Sequence, residues 1–148
     1  MKIPPEPPVG FLIAYEYLWE SQAEEREDGV KTYPCIVVFS NVLSDGEIIA
    51  YVAGISHMPP GPNDRAIEVP LKLKAHLGLD DQRAWVYTDQ LNAFVWPGPD
   101  VRDGSRLSRS SDDTCVIGRL PDDWFDAVKA HIIESNRLGR LKPRKRTV

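Results

Sequence analysis

Residues Ile48–Pro60 read IIAYVAGISHMPP, and this stretch decides the fold. Its first nine residues are rich in branched and aromatic side chains, which favour an extended strand in a sheet. Ser56 and His57 end the strand, and the proline pair that follows cannot donate backbone hydrogen bonds to a neighbouring strand. The sequence therefore predicts a buried strand that carries a hydroxyl and an imidazole to its rim.

Strand-like segments lie on both sides of this stretch. Cys35–Phe39 is a continuous apolar run, and Ser44-Asp45-Gly46 is a turn signal between the two strands, so we expect an antiparallel hairpin. Periodicity and composition predict further short strands at 11–19, 66–69, 84–88, 94–96 and 114–117.

Two helices are expected among these strands. The first is short, covers Leu71–Leu77 and ends at Gly78. The second begins at Pro121-Asp122-Asp123 and continues with an apolar face to about Leu138. Five to seven short antiparallel strands followed by one C-terminal helix predict a mainly β (α+β) fold, with the helix packed across a small twisted or closed sheet.

Length and composition are typical of one soluble domain. The chain has 148 residues with 42% hydrophobic and 27% charged residues, and it has no apolar run of the roughly 20 residues that a membrane span needs. Met1–Pro8 lacks the apolar region of a signal peptide. Cys35 and Cys115 lie in apolar runs, which predicts buried free thiols in a reducing cytoplasm.

Charge is divided unevenly along the chain. The last twelve residues contain six basic and no acidic side chains, whereas residues 1–136 contain 12 basic and 22 acidic ones, a net charge of −10. An acidic body is not what a general nucleic-acid binder needs. We expect a proline-rich lead at 1–9, a single domain at 10–139 and a basic flexible tail at 140–148. The tail is either a solvated end or a weak RNA contact. Composition also predicts that Asp100–Asp113 is the most mobile segment.

Motifs for metals and cofactors are absent from the sequence. It contains no P-loop, no GxGxxG, no HExxH, no CxxC and no GxSxG, and its three histidines are far apart. We therefore expect neither a metal nor a cofactor.

Polar residues at the ends of the predicted strands are the candidates for chemistry. If these ends meet at one edge, they combine a cation, a hydroxyl, an imidazole and amide groups, a set that suits metal-free phosphodiester cleavage. The predicted catalytic residues are Ser56, His57 and Lys31, and the predicted substrate-binding residues are Asp89, Gln90, Asn92 and Arg119. Each also has a structural interpretation, because Asp89 and Asn92 favour turns and Ser-His pairs often only end strands.

Five segments, in order along the chain, resemble the PemK/MazF-like toxins of type II toxin–antitoxin systems. They are Gly10-Phe11-Leu12-Ile13, Pro34–Ser40, Gly54-Ile55-Ser56, Thr88-Asp89-Gln90-Leu91, and Ile117-Gly118-Arg119-Leu120 followed by a helix. The resemblance implies a small SH3-like barrel with a helix and a homodimer. It also implies metal-independent cleavage of single-stranded RNA, namely mRNA, and a cognate antitoxin that covers the RNA groove.

The resemblance also locates the site. Ser56 stands where the family carries threonine, and Tyr33 stands where the family carries the arginine that acts on the phosphate, so Tyr33 joins the substrate-binding residues. The loop Glu20–Thr32, which would border the groove, is acidic. Two hypotheses follow: a toxin-like endoribonuclease, or a catalytically inactive homologue that binds protein or RNA on the same fold.

Overall fold

The computed structural model describes residues 1–22 and 31–146, which form nine strands and two α-helices. The strands are β1 (Phe11–Tyr15), β2 (Tyr33–Val42), β3 (Ile48–Ser56), β4 (Ala66–Glu68), β5 (Trp85–Tyr87), β6 (Gln90–Val95), β7 (Val101–Arg102), β8 (Val116–Arg119) and β9 (Lys142–Lys145). The helices are α1 (Leu71–His76) and α2 (Asp122–Arg137). The predicted mainly β class with a C-terminal helix is confirmed, and a small barrel-like α+β fold fits this arrangement.

The hairpin of β2 and β3 is the centre of the sheet. The two strands pair antiparallel from Cys35↔Gly54 to Val42↔Ile48, with one irregularity of register near Phe39. The turn between them places Gly46 at φ +89°, a backbone conformation that favours glycine. This hairpin is the one that the sequence predicts.

Strand β3 has two different neighbours along its other edge. Its first part pairs with β6 between Ile49 and Val52, whereas its last two residues pair with Val86 and Trp85 of β5. β1 behaves similarly, since β8 and β7 share its outer edge. Consequently the last two residues of β3 pair with β5 rather than with β6, and β4 lies beyond β5 in the same sheet.

Helix α2 covers one face of the sheet. Phe125, Val128 and Ile132 are buried in a cluster that also contains side chains of β1, β2, β3 and β5. Ile133 and Leu138, which the sequence assigned to the same apolar run, are 60% and 44% exposed. The apolar face is therefore narrower than expected. No helix among the described residues is long and apolar enough to cross a membrane.

The C-terminal segment is not the flexible tail that its composition predicts. Lys142–Lys145 forms β9, which runs parallel to β6. Arg146, the last described residue, is 4% exposed, and its guanidinium donates to Asp100 Oδ2 at 2.9 Å and to the carbonyl of Glu16 at 2.8 Å. The composition was misleading because the backbone of β9 pairs with β6 while most of its side chains stay exposed, and a charge count does not detect backbone pairing.

The segment Asp100–Asp113 is also tied to the fold by hydrogen bonds. Ser108 Oγ donates to the carbonyl of Leu77 at 2.5 Å, and Ser111 Oγ donates to the carbonyl of Val116 at 2.8 Å. These hydroxyls satisfy backbone groups, so the segment holds its position without apolar periodicity. Cys35 and Cys115 are buried free thiols, as predicted.

Candidate functional site

A cleft of about 380 Å³ opens at the end of β3. It is lined by all three residues predicted to be catalytic and by Tyr33. Lys74 and Asp80, which the sequence analysis did not single out, also line it. The structure thus brings the predicted cation, hydroxyl and imidazole to one cavity.

The turn after β3 fixes the rim of this cleft. Ser56 Oγ accepts a hydrogen bond from the backbone N–H of Met58 at 3.1 Å, the local bond that serine favours in turns. The carbonyl of Met58 in turn accepts the Tyr87 hydroxyl at 2.6 Å. His57, which lies between these two anchored residues, is therefore held at the mouth of the cleft, with its side chain 52% exposed.

A chain of ionic contacts continues from His57 into the protein. His57 Nε2 lies 2.9 Å from Asp80 Oδ2, and Lys74 Nζ lies 2.6 Å from Asp80 Oδ1. Lys74 is only 2% exposed, and its ammonium group also donates to the carbonyl of Gln82 at 2.5 Å. A buried ammonium thus holds one oxygen of Asp80, while the other oxygen faces the imidazole.

Local sequence explains how these partners reach the cleft. Lys74 lies on α1 directly after the buried Leu73, and Gly78 reverses the chain after the helix with φ +71°. A side chain at Gly78 would also clash with Ser110, so both the positive φ and the lack of space favour glycine at this position. Asp80 then closes a turn by accepting the N–H of Gln82 at 3.1 Å, which aims its carboxylate at the cleft.

Electrostatics keep Asp80 ionised. Burial by itself would raise the pKa of the Asp80 carboxyl, but the hydrogen bonds from Lys74 and Gln82 and the charges of Lys74 and His57 together lower it below its usual value. A carboxylate accepts a proton donor, so the Nε2–H of a neutral His57 points at Asp80. No described residue hydrogen-bonds His57 Nδ1, whose lone pair is then available in the cleft.

A second cavity of about 420 Å³ adjoins the first and shares Tyr33, Ser56 and Met58 with it. Gln90, predicted to bind substrate, lines this second cavity, and its Oε1 accepts the backbone N–H of Glu20 at 3.0 Å. The acidic residues predicted for the bordering loop at 23–30 lie outside the described residues.

Asn92 and Asp89 serve the fold in this structure. Asn92 is 1% exposed, and its amide exchanges hydrogen bonds with both the N–H and the carbonyl of Leu18, at 2.8 and 2.9 Å. Asp89 accepts the N–H of Arg65 at 2.9 Å. Neither residue lines the two cavities at the end of β3. Both side chains hydrogen-bond to the backbone of neighbouring segments.

Arg119 lies away from the cleft. It is at the end of β8, opposite Phe11, with its side chain 68% exposed and 3.2 Å from Asp122. The surface depression that it lines contains His76 instead of His57. The condition that the predicted strand ends meet at one edge therefore does not hold for Arg119, because β8 pairs with β1, on the far side of β2 from β3.

Sequence reasoning missed Asp80 and Lys74. Asp80-Asp81-Gln82 has the composition of a turn, and Lys74 occupies one position of a short amphipathic helix. Neither pattern indicates that Asp80 contacts His57, 23 positions earlier in the chain, or that Lys74 contacts Asp80. Only the return of the chain after Gly78 brings them together.

Comparison with known proteins adds no family: neither protein-family models nor curated proteins gave a match to this chain.

Proposed function

We propose that this chain is a metal-independent endoribonuclease that cleaves single-stranded RNA in the cleft at the end of β3. The observation that carries the proposal is the His57–Asp80 contact at 2.9 Å, in a cavity that Lys31 and Ser56 also line. An imidazole oriented by a carboxylate, beside a cation and a hydroxyl, suits proton transfer at a phosphodiester.

The geometry supports the following division of work. His57 Nδ1 takes the proton of a ribose 2′-hydroxyl, and the 2′ oxygen attacks the adjacent phosphorus. The bond from phosphorus to the 5′ oxygen breaks, a 2′,3′-cyclic phosphate forms, and the departing oxygen takes a proton from water. The Lys31 ammonium stabilises the charge that grows on the phosphate oxygens. The Ser56 hydroxyl can donate to the same oxygens while its Oγ keeps the bond from Met58.

Asp80 contributes by positioning rather than by contact with the phosphate. Its carboxylate holds one ring nitrogen and stabilises the imidazolium that forms when His57 takes up a proton. Lys74 lies behind Asp80 and fixes it in turn. The ordered resemblance to PemK/MazF-like toxins supports the same reaction class. The homodimer and the antitoxin that it implies stay predictions.

The test is cleavage of a mixed-sequence single-stranded RNA by the full chain in the presence of EDTA. We expect cleavage that leaves 2′,3′-cyclic ends, and we expect His57→Ala to lower the rate by about 100- to 10,000-fold. His76→Ala is the matched control, because His76 is exposed and lines a different surface depression. A substrate with 2′-deoxyribose at every position should not be cleaved.

Absence of cleavage by the wild-type chain, or equal cleavage by the His57→Ala variant, would contradict the proposal. Loss of activity in both histidine variants would point to a folding defect, which circular dichroism of each variant distinguishes.

A second function is favoured by a different observation. The Ser56 Oγ already serves the turn, and Tyr33 supplies an uncharged ring where phosphate chemistry would use a cation. The alternative function is therefore a non-catalytic binding module on the same fold. RNA that binds but is recovered intact, together with no growth arrest on overexpression, would favour this function over the first.

A further inference from the structure

The second cavity, which adjoins the catalytic cleft, has a different chemical character. Its lining combines three aromatic rings, from Trp19, Tyr33 and Tyr87, with two carboxylates, from Glu20 and Asp64. Within the described part of the chain, no lysine or arginine lines it. Aromatic faces and carboxylates are both attractive to cations.

The three rings stand at steep angles to each other. The Tyr33 ring lies at 85° to the Trp19 ring with 5.2 Å between centroids, and the Tyr87 ring lies at 74° to it with 5.5 Å between centroids. Both tyrosine rings therefore make edge-to-face contacts with the Trp19 ring. Walls that meet at such angles can surround a compact group from several sides, whereas a flat ligand would stack on only one of them.

The rings are also fixed before any ligand arrives. The Tyr87 hydroxyl is held by the carbonyl of Met58 at 2.6 Å. Trp19 fits closely against Gly54, where an added Cβ would lie only 2.7 Å from the indole ring. Such preorganisation lowers the entropy that binding would otherwise lose.

Charge around the cavity is negative. Asp64 and Asp89 contribute, after burial, to raising the pKa of the Tyr87 hydroxyl, as a negative potential does. Among the described residues, the salt bridge to the two lining carboxylates is that of Arg144 with Glu20, at 3.9 Å. Both side chains of that pair are more than a third exposed, so water screens it. A phosphate group in this cavity would face two carboxylates.

We propose that this cavity binds an alkylated ammonium group, of the kind carried by a methylated lysine side chain or by a small quaternary amine. The methyl groups contact the aromatic walls, and the carboxylates of Glu20 and Asp64 complement the charge. The proposal does not rest on RNA cleavage, because none of the groups that carry it has a part in the proposed chemical step; Tyr33 alone is also a predicted substrate-binding residue and lines both cavities.

The first measurement is a titration of the full chain with tetramethylammonium chloride, followed by NMR of the Trp19 indole and the tyrosine rings. We expect saturable shifts at Trp19, Tyr33 and Tyr87, and weaker binding of unmethylated ammonium. Absence of saturable binding at these rings would overturn the proposal, whatever the result of the RNA assay.

Two variants test the two halves of the cavity. Asp64→Asn keeps an oxygen that can accept the N–H of Gly61, so the turn should survive, and it should weaken binding about two- to fivefold. Its matched control is Asp45→Asn, because Asp45 makes the same kind of turn contact, accepting the N–H of Glu47, in the hairpin between β2 and β3.

Tyr33→Leu removes one aromatic wall and should weaken binding about fivefold. Affinity unchanged in both Asp64→Asn and Tyr33→Leu would overturn the proposal.

The source of the ammonium group is settled with a peptide that contains trimethyllysine and its unmethylated counterpart. Binding of the methylated peptide at least about tenfold tighter than tetramethylammonium, with no binding of the counterpart, assigns the cavity to a partner's side chain. Equal affinity for the peptide and the free ion assigns it to a small amine. Nucleosides that bind the same rings, more tightly in Asp64→Asn, would overturn the proposal in favour of a nucleobase.

Discussion

Asp80 is the residue through which the cleft is connected to the interior. Its carboxylate faces the half-exposed ring of His57 on one side and the fully buried ammonium of Lys74 on the other. Burial removes the ammonium of Lys74 from solvent, and its contacts with Asp80 and with the carbonyl of Gln82 compensate for the lost solvation. Asp80 therefore has a structural role and, in the proposed reaction, a positioning role.

Asp80→Asn changes both roles, because it removes the charge beside Lys74 as well as the charge beside His57, so its cleavage rate is compared with its urea unfolding. The amide keeps the shape of the side chain but removes the charge that fixes the tautomer of His57, so we expect the cleavage rate to fall about tenfold or more. The loss should be smaller than that of His57→Ala, because the imidazole stays in place. Single-turnover cleavage of RNA measures it.

Asp81→Asn is the matched control, since the neighbouring Asp81 does not line the cleft. Equal rates in both asparagine variants and in the wild type would show that Asp80 does not position His57.

At the scale of elements, β9 shows how a basic C-terminal segment becomes part of a sheet. Its backbone pairs parallel to β6. Arg146, the residue directly after β9, places its guanidinium over the Tyr15 ring, 5.5 Å from the ring centroid. The guanidinium also donates to Asn92 Oδ1 at 3.0 Å, and Asn92 holds the chain at Leu18. One buried arginine thus connects β9, β6 and the segment after β1.

Arg146→Ala should destabilise the protein by about 3–5 kcal/mol, because it removes the guanidinium from a buried site that contains the Asp100 carboxylate. Urea unfolding monitored by tryptophan fluorescence measures this change in the free energy of unfolding.

Lys145→Ala, an exposed position one residue earlier, should change the free energy of unfolding by less than about 0.5 kcal/mol. If both variants unfold at the same urea concentration, β9 does not depend on Arg146. Deleting the residues after Gly139 cannot test the segment as an RNA-binding tail, because the deletion also removes strand β9.

At the scale of the whole molecule, a polar cluster joins α2 to the sheet. His131 Nδ1 lies 2.5 Å from Thr88 Oγ1, and Arg65 Nε donates to Ser135 Oγ at 2.6 Å. Thr88 and Ser135 are fully buried. Burial and the positive charge of Arg65 lower the pKa of His131, against smaller opposite contributions from Asp89 and Glu134. The histidine is thus held neutral where the helix meets the strands.

This cluster predicts a pH dependence of global stability. A histidine in the unfolded chain has a pKa of about 6.5, above that of His131 in the folded protein. As the pH falls through about 6.5, the unfolded state binds the proton first, so the free energy of unfolding decreases until the folded-state pKa is passed. The contribution of neutral His131 to the free energy of unfolding is fully present above the pKa of the unfolded chain.

The wild-type protein should therefore lose more stability between about pH 7.5 and pH 5 than His131→Gln does, because glutamine does not titrate. Thermal unfolding at each pH measures the difference. If stability falls equally with pH in the wild type and in His131→Gln, protonation of His131 does not cause the loss.

Several elements could be predicted from sequence because their signals are local. The hairpin of β2 and β3 follows from two apolar runs joined by Ser44-Asp45-Gly46, and α1 and α2 follow from apolar spacing and end signals. β6 was predicted only at its end, since Gln90–Asn92 gives no strand-like pattern. β7 and β9 were missed, because their pairing with β1 and β6 depends on partners 86 to 88 and 52 residues away in the chain.

Local sequence is enough to predict the mainly β class, the central hairpin, the C-terminal helix and the position of Ser56-His57 at a strand end, since each depends on propensities and periods within a few residues. Which polar groups meet follows from the tertiary contacts. These contacts place Asp80 and Lys74 beside His57, turn Asn92 into the fold and leave Arg119 on another surface. The physical reason is that a site depends on distances between strand ends, and strand order in a sheet is fixed by long-range pairing that no local pattern encodes.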